Sequence, residues 1–100
     1  MKEEEFGKFL VEDSKIESKD KAVRSRLSKA RKVEVEFHVN LDEIVKDDEE
    51  MYETLKRIKR ELIDSNGSIQ NALRKYYIFI NQNEFPTLNQ YEKKHARYSR

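Results

Sequence analysis

The sequence predicts an all-α fold, a small bundle of four or five helices, and three observations carry that expectation. Charged residues make up 41% of the chain and apolar ones 36%, a balance that favours short helices with solvated outer faces over a sheet. Two glycines and one proline in 100 residues leave too few turn-formers for a sandwich or barrel. Finally, Ser68 to Asn81, SIQNALRKYYIFIN, gathers apolar mass at helical spacing. Ile69, Ala72, Leu73, Tyr76 and Ile80 share one face, widened by Tyr77 and Phe79. A helix this apolar must be covered on most sides, so the other helices are expected to pack around it. Gln70, Asn71, Arg74 and Lys75 are left to point elsewhere.

Glu3 to Val11 reads as a short amphipathic helix with Phe6, Phe9 and Leu10 on one face. Gly7 weakens it, so its stability is expected to come from docking onto the core. Asp13 to Ser18 is a polar connection, with Ile16 placed as a hydrophobic staple and Ser18 as the cap of the next helix.

Lys19 to Phe37 is the long basic helix. Val23, Leu27, Ala30, Val33 and Phe37 form its apolar stripe, and Lys21, Arg24, Ser25, Ser28, Arg31 and Lys32 lie on the other side. Val33 to Val39 also alternates strictly and would pass as a strand. Helix to about Phe37 is preferred, because a lone strand would have no partner for its edge.

Asn40 to Val45 reads as a turn and one short helical turn that buries Leu41 and Ile44. Asp47 caps the following helix, with Glu50 completing a capping-box-like pair and Met51, Leu55, Ile58 and Leu62 as its buried stripe. Acids crowd the start of that helix while Lys56, Arg57, Lys59 and Arg60 lie toward its end, as the helix dipole favours. Asn66-Gly67 breaks the chain, and Ser68 can cap the apolar helix that follows. Phe85-Pro86 closes its exit. Thr87 can cap a last helix with Leu88, Tyr91 and His95 on one face, ahead of a basic tail. With no internal repeat or linker, residues 1–100 form one domain, its core at about 16–86.

The net charge of +1 hides strong segregation. Residues 1–14 carry −3, 15–32 carry +6, 33–53 carry −8, 54–75 carry +4 and the remainder +2. Such blocks set up surface potentials that the total does not report. The chain has no cysteine, which fits a reducing compartment and removes disulfides, thiolate nucleophiles and thiolate metal sites. No apolar run is long enough to span a bilayer, and the acidic start is unlike a signal peptide, so a cytoplasmic location is expected. His38 and His95 make no metal pattern, and the acids from Asp42 to Glu50 lack the spacing of a calcium loop. No carboxylate sits in an apolar stretch that would tune it for acid–base work. A non-enzymatic protein without cofactor or metal is the expectation.

AVRSRLSKARKVE, then NLDEI, then an acidic-to-basic helix, then SIQNALRKYYIFIN resembles the N-terminal core-binding domain of tyrosine recombinases and phage integrases, over about Lys19 to Pro86. Ala72-Leu73-Arg74 and Tyr76 to Phe79 sit where that family's later helix carries its motif, and Leu27 with its basic neighbours matches the first. The resemblance implies a SAM-like helical bundle that clamps one side of DNA through basic helices. The family's catalytic domain is not matched by any part of this chain, so no recombination chemistry is implied. His95-Ala96-Arg97-Tyr98 shares letters with the catalytic set but lies on a short tail.

The leading expectation is therefore a DNA-binding module that contacts phosphates through Lys21, Arg24, Ser28, Arg31 and Lys32 on one helix and Asn71, Arg74 and Lys75 on the other. The competing explanation of the first set is a solvated face neutralised by the acids of residues 34–53. Two alternatives use the segregated charge. One is a protein-interaction or self-association module, such as an accessory factor of a phage or mobile element, and the other an inhibitor whose acidic segment mimics nucleic acid.

Overall fold

The computed structural model describes residues 1–12 and 19–94. Its helices are α1 (Glu3–Glu12), α2 (Lys19–Phe37), α3 (Leu41–Ile44), α4 (Asp48–Glu61), α5 (Ser68–Asn81) and α6 (Leu88–Lys94), with a 3-10 turn at Ser65–Gly67. No strand forms among the described residues, and Val33 to Phe37 completes α2. The alternation there is cut by helical geometry: Val33 is fully buried while Val35 points outward, 66% exposed.

α5 is the hub, in contact with α1, α2, α3 and α4. Its Ala72 and the Ala30 of α2 are both fully buried, small side chains that let the two helix backbones approach. α1 closes one flank of this pair. Phe6 meets Tyr76 edge-on at 4.9 Å between ring centroids and Phe79 at 5.6 Å. Phe6 and Leu10 are fully buried, so the core reaches beyond the expected 16–86 at its N-terminal side. It does so at the other end as well: Tyr91 of α6 stacks on Tyr52 of α4 at 4.6 Å.

The turns are held by local chemistry. His38 adopts a left-handed φ of 53° and ends α2, and the Val39 N–H donates back to the Glu34 carbonyl at 3.2 Å. Asn40 caps α3 by accepting from the Asp42 N–H at 2.9 Å. Asp47 caps α4 by accepting from the N–H groups of Glu49 and Glu50 at 2.9 and 3.3 Å. Thr87 and Gln90 close a reciprocal capping box on α6, each backbone N–H donating to the other's side chain at 3.1 Å.

One cap differs from expectation. Ser68 is already the first residue of α5, and the residue before it, Gly67, has a left-handed φ of 69° and no side chain. Asp64 does the capping from further back, accepting from the N–H groups of Ile69 and Gln70 at 2.5 and 3.1 Å. The left-handed pair Asn66 and Gly67 makes this possible by folding the chain back so that Asp64 reaches the helix end. The expected roles of Ile16, Ser18 and His95 fall outside the described residues.

Candidate nucleic-acid interface

The regular turn of α2 sorts its side chains by phase. At 3.6 residues per turn, Lys21, Arg24, Ser28, Arg31 and Lys32 fall within an arc of about 100°, roughly 17 Å long from first to last. All five are exposed, whereas Val23, Ala30, Val33 and Phe37 on the opposite arc are buried. The result is a cationic stripe facing away from the core.

Its neutralisation is slight. Among the described residues the ion pair on this stripe joins Arg31 to Glu3 of α1, with the Arg31 Nε at 2.7 Å from the carboxylate. Among them, too, no acid of residues 34–53 pairs with Lys21, Arg24, Arg31 or Lys32. Several of those acids have work inside the fold. Glu34 accepts from the Met1 amino group and the Leu41 N–H, each at 3.0 Å. Asp42 accepts from the Tyr76 hydroxyl, which itself accepts from the Lys2 N–H at 2.8 Å. Asp48 accepts from the Tyr77 hydroxyl at 2.8 Å.

These contacts change the tyrosines. Tyr76 is fully buried with its hydroxyl tied into this network, and Tyr77 is nearly so. Burial first, and then the neighbouring carboxylate, raises the pKa of both, that of Tyr77 to about 12. Burial would by itself lower the pKa of the Met1 amino group, but Glu34 and Asp42 outweigh it and raise the value.

The α5 candidates sit on a different helix from that stripe. By helical phase the exposed Asn71 lies on the arc of α5 opposite its buried Ile69, Leu73 and Tyr76. Lys75 is half-buried on that same arc. Arg74 is turned to a structural task. Its guanidinium donates to the carbonyls of Phe85 and Pro86, both at 3.0 Å, and lies over the Phe85 ring. Burial lowers its pKa, with Glu84 acting in the opposite direction. Arg74 thereby pins the loop that leads into α6.

Two further surfaces were not singled out by the sequence. Lys56, Lys59 and Arg60 line a groove with Leu88, Asn89 and Glu92 of α6. The i, i+3, i+4 spacing of those bases places them on one flank of α4, a signal present in the sequence. Next to the groove, sharing Arg60, lies a depression lined by Val39, Ile44, Glu49, Glu50, Glu53 and Arg57. Among the described residues no group of three His, Asp or Glu side chains is arranged to hold a metal, and no helix is long and apolar enough to cross a membrane. Compared with known proteins, the chain matches no family model, no curated protein and no solved structure.

Proposed function

We propose that this protein is a non-enzymatic DNA-binding module that grips the phosphate backbone through the outward stripe of α2. The observation that carries the reading is the exposed run Lys21, Arg24, Ser28 and Lys32, which the fold's own acids leave unpaired among the described residues. Cations held on a rigid helix neutralise phosphates and release condensed counterions, giving affinity that falls steeply with salt. Ser28 adds a hydroxyl that can bond a phosphate oxygen. Arg31 contributes by exchanging Glu3 for phosphate, since its pair is exposed and of small net value. Asn71 and Lys75 lie on a second helix and Arg74 is bonded within the fold, so the α2 stripe is the contact set proposed. The form of the reading agrees with the resemblance to integrase core-binding domains, and kinship with that family is part of the proposal.

The test is fluorescence anisotropy of a labelled random-sequence duplex, titrated at low and moderate salt. Binding that weakens about 10²-fold between 50 and 200 mM salt is expected if Lys21, Arg24, Arg31 and Lys32 each neutralise a phosphate. A combined Lys21→Glu, Arg24→Glu, Lys32→Glu variant should lose binding while keeping its helical circular dichroism. No binding by the unaltered protein at low salt would overturn the reading.

A second reading, self-association, is favoured by one observation: the depression rimmed by Glu49, Glu50 and Glu53 is complementary in charge to the α2 stripe of another copy.

A further inference from the structure

The groove between α4 and α6 has a chemistry that the folding of these two helices does not require. Tyr52 and Tyr91 stack at 4.6 Å with their planes 20° apart, which fixes α6 against one flank of α4. Lys56, Lys59 and Arg60 project from that flank, and Leu88, Asn89 and Glu92 form the facing wall. Three bases and one acid thus line the cleft.

That acid is largely engaged elsewhere. Glu92 accepts from the Tyr52 hydroxyl at 2.6 Å and stands 3.9 Å from Lys56, at the outer limit of an ion pair. Arg60 meets Glu61 at 3.2 Å, on a pair that is exposed on both sides. Complementing the α4 dipole explains bases in the last turn of that helix but is indifferent to which flank they occupy. It does not by itself account for Lys56, a turn earlier, which stands over the Tyr52 ring at 5.3 Å. A half-buried leucine and an amide in the α6 wall, facing a row of bases on α4, suit an extended polyanion laid in the cleft.

We propose that the α4–α6 groove is a second binding surface for the nucleic-acid phosphate backbone, distinct from the α2 stripe. This rests on the DNA-binding reading and extends it: Lys56, Lys59 and Arg60 neutralise phosphates, and the Asn89 amide donates to a phosphate or sugar oxygen. Glu92 is the groove's repulsive element, and it limits affinity there.

The probe is the same labelled random-sequence duplex, with affinity measured across a series of salt concentrations. A Lys56→Gln, Lys59→Gln, Arg60→Gln variant should bind about tenfold or more weakly and show a salt slope shallower by roughly 2 to 3, near 0.9 for each phosphate no longer neutralised. Glu92→Gln keeps an acceptor for the Tyr52 hydroxyl while removing the negative charge, and it should bind a few-fold more tightly. Thermal melting checks that both variants stay folded. If both bind with the affinity and slope of the unaltered protein, the groove proposal is overturned and the α2 reading stands. If the unaltered protein does not bind at low salt, both fall together. Loss of binding on altering the groove, with the α2 variant unaffected, would retain the groove and overturn the α2 stripe.

Discussion

Tyr76 and Tyr77 are adjacent, yet each hydroxyl leaves α5 in its own direction to meet a carboxylate on another element, Asp42 and Asp48 respectively. Their burial makes stability depend on alkaline pH in a way that can be signed. An unfolded tyrosine ionises near pH 10, whereas folded Tyr77 holds its proton to about 12. Below pH 10 the stabilisation is complete. Between about 10 and 12 the unfolded chain sheds its proton and the folded one does not, so stability declines through that window. Tyr77→Phe should flatten this decline relative to the unaltered protein in urea unfolding from pH 9 to 12. Near neutrality the same change costs about 1 kcal/mol through loss of the hydrogen bond. Equal pH slopes for the two proteins would show that Tyr77 does not carry the effect. None of this was visible in the spacing. Helical periodicity places a tyrosine on the core face but says nothing of which acid, 29 or 34 residues away, receives its hydroxyl. Arg74 shows the same limit, because its partners are the carbonyls of a loop that only the folded chain brings alongside.

Elements were far more legible than these long-range partners. α5 ends where the sequence places it and begins at Ser68, one residue before a Ser68 cap would start it, since the Asn66-Gly67 turn and its own apolar phase are both local signals. α2 ends at Phe37 as expected, although the alternation of Val33 to Val39 offered a rival. What settled that rivalry is tertiary. Val33 and Phe37, four apart, are both buried, while Val35 between them is left in solvent. The weak point in α1 was equally plain from its sequence, and the structure gives it a remedy. Gly7 sits mid-helix, and a Cβ built there would lie 3.7 Å from the Leu27 Cδ1, an ordinary contact. Gly7→Ala should therefore stabilise the protein by about 0.5–1 kcal/mol through helix propensity alone. For a domain of this size that corresponds to a rise in Tm of roughly 2–8 °C, readable by circular dichroism. A fall in Tm would mean that α1 needs a closer approach to α2 than this geometry has. Gly67 is the contrasting case. Open space surrounds it, but its φ of 69° makes any side chain there strained.

At the scale of the whole molecule, the charge blocks of the sequence become surfaces whose separation could not be read from chain order. The acid block of residues 33–53 divides, with Glu34, Asp42, Asp47 and Asp48 bonded within the fold and Glu49, Glu50 and Glu53 on its outside. The α2 stripe and Asn71 of α5 lie on the outward arcs of two different helices in a body measuring 43 × 26 × 24 Å. That layout separates the DNA-binding and self-association readings. A contact between the acidic depression on one copy and the α2 stripe on another would be head-to-tail, using two different patches. Such contacts extend into chains or close into rings, and they do not end in a simple two-fold dimer. Sedimentation at low salt should then show a size that grows continuously with protein concentration and collapses to a 12.1 kDa species as salt rises. Reversing Glu49, Glu50 and Glu53 to lysine would abolish that growth, and adding the α2 reversals to the same chain would restore it. The DNA-binding reading expects the opposite behaviour: a 12.1 kDa monomer at every salt concentration, with larger species only when duplex is added. Since both readings use Lys21, Arg24 and Lys32, loss of function on reversing these bases cannot separate them. The acidic rim can. Reversing it leaves phosphate binding by α2 in place and removes the acidic surface on which self-association depends.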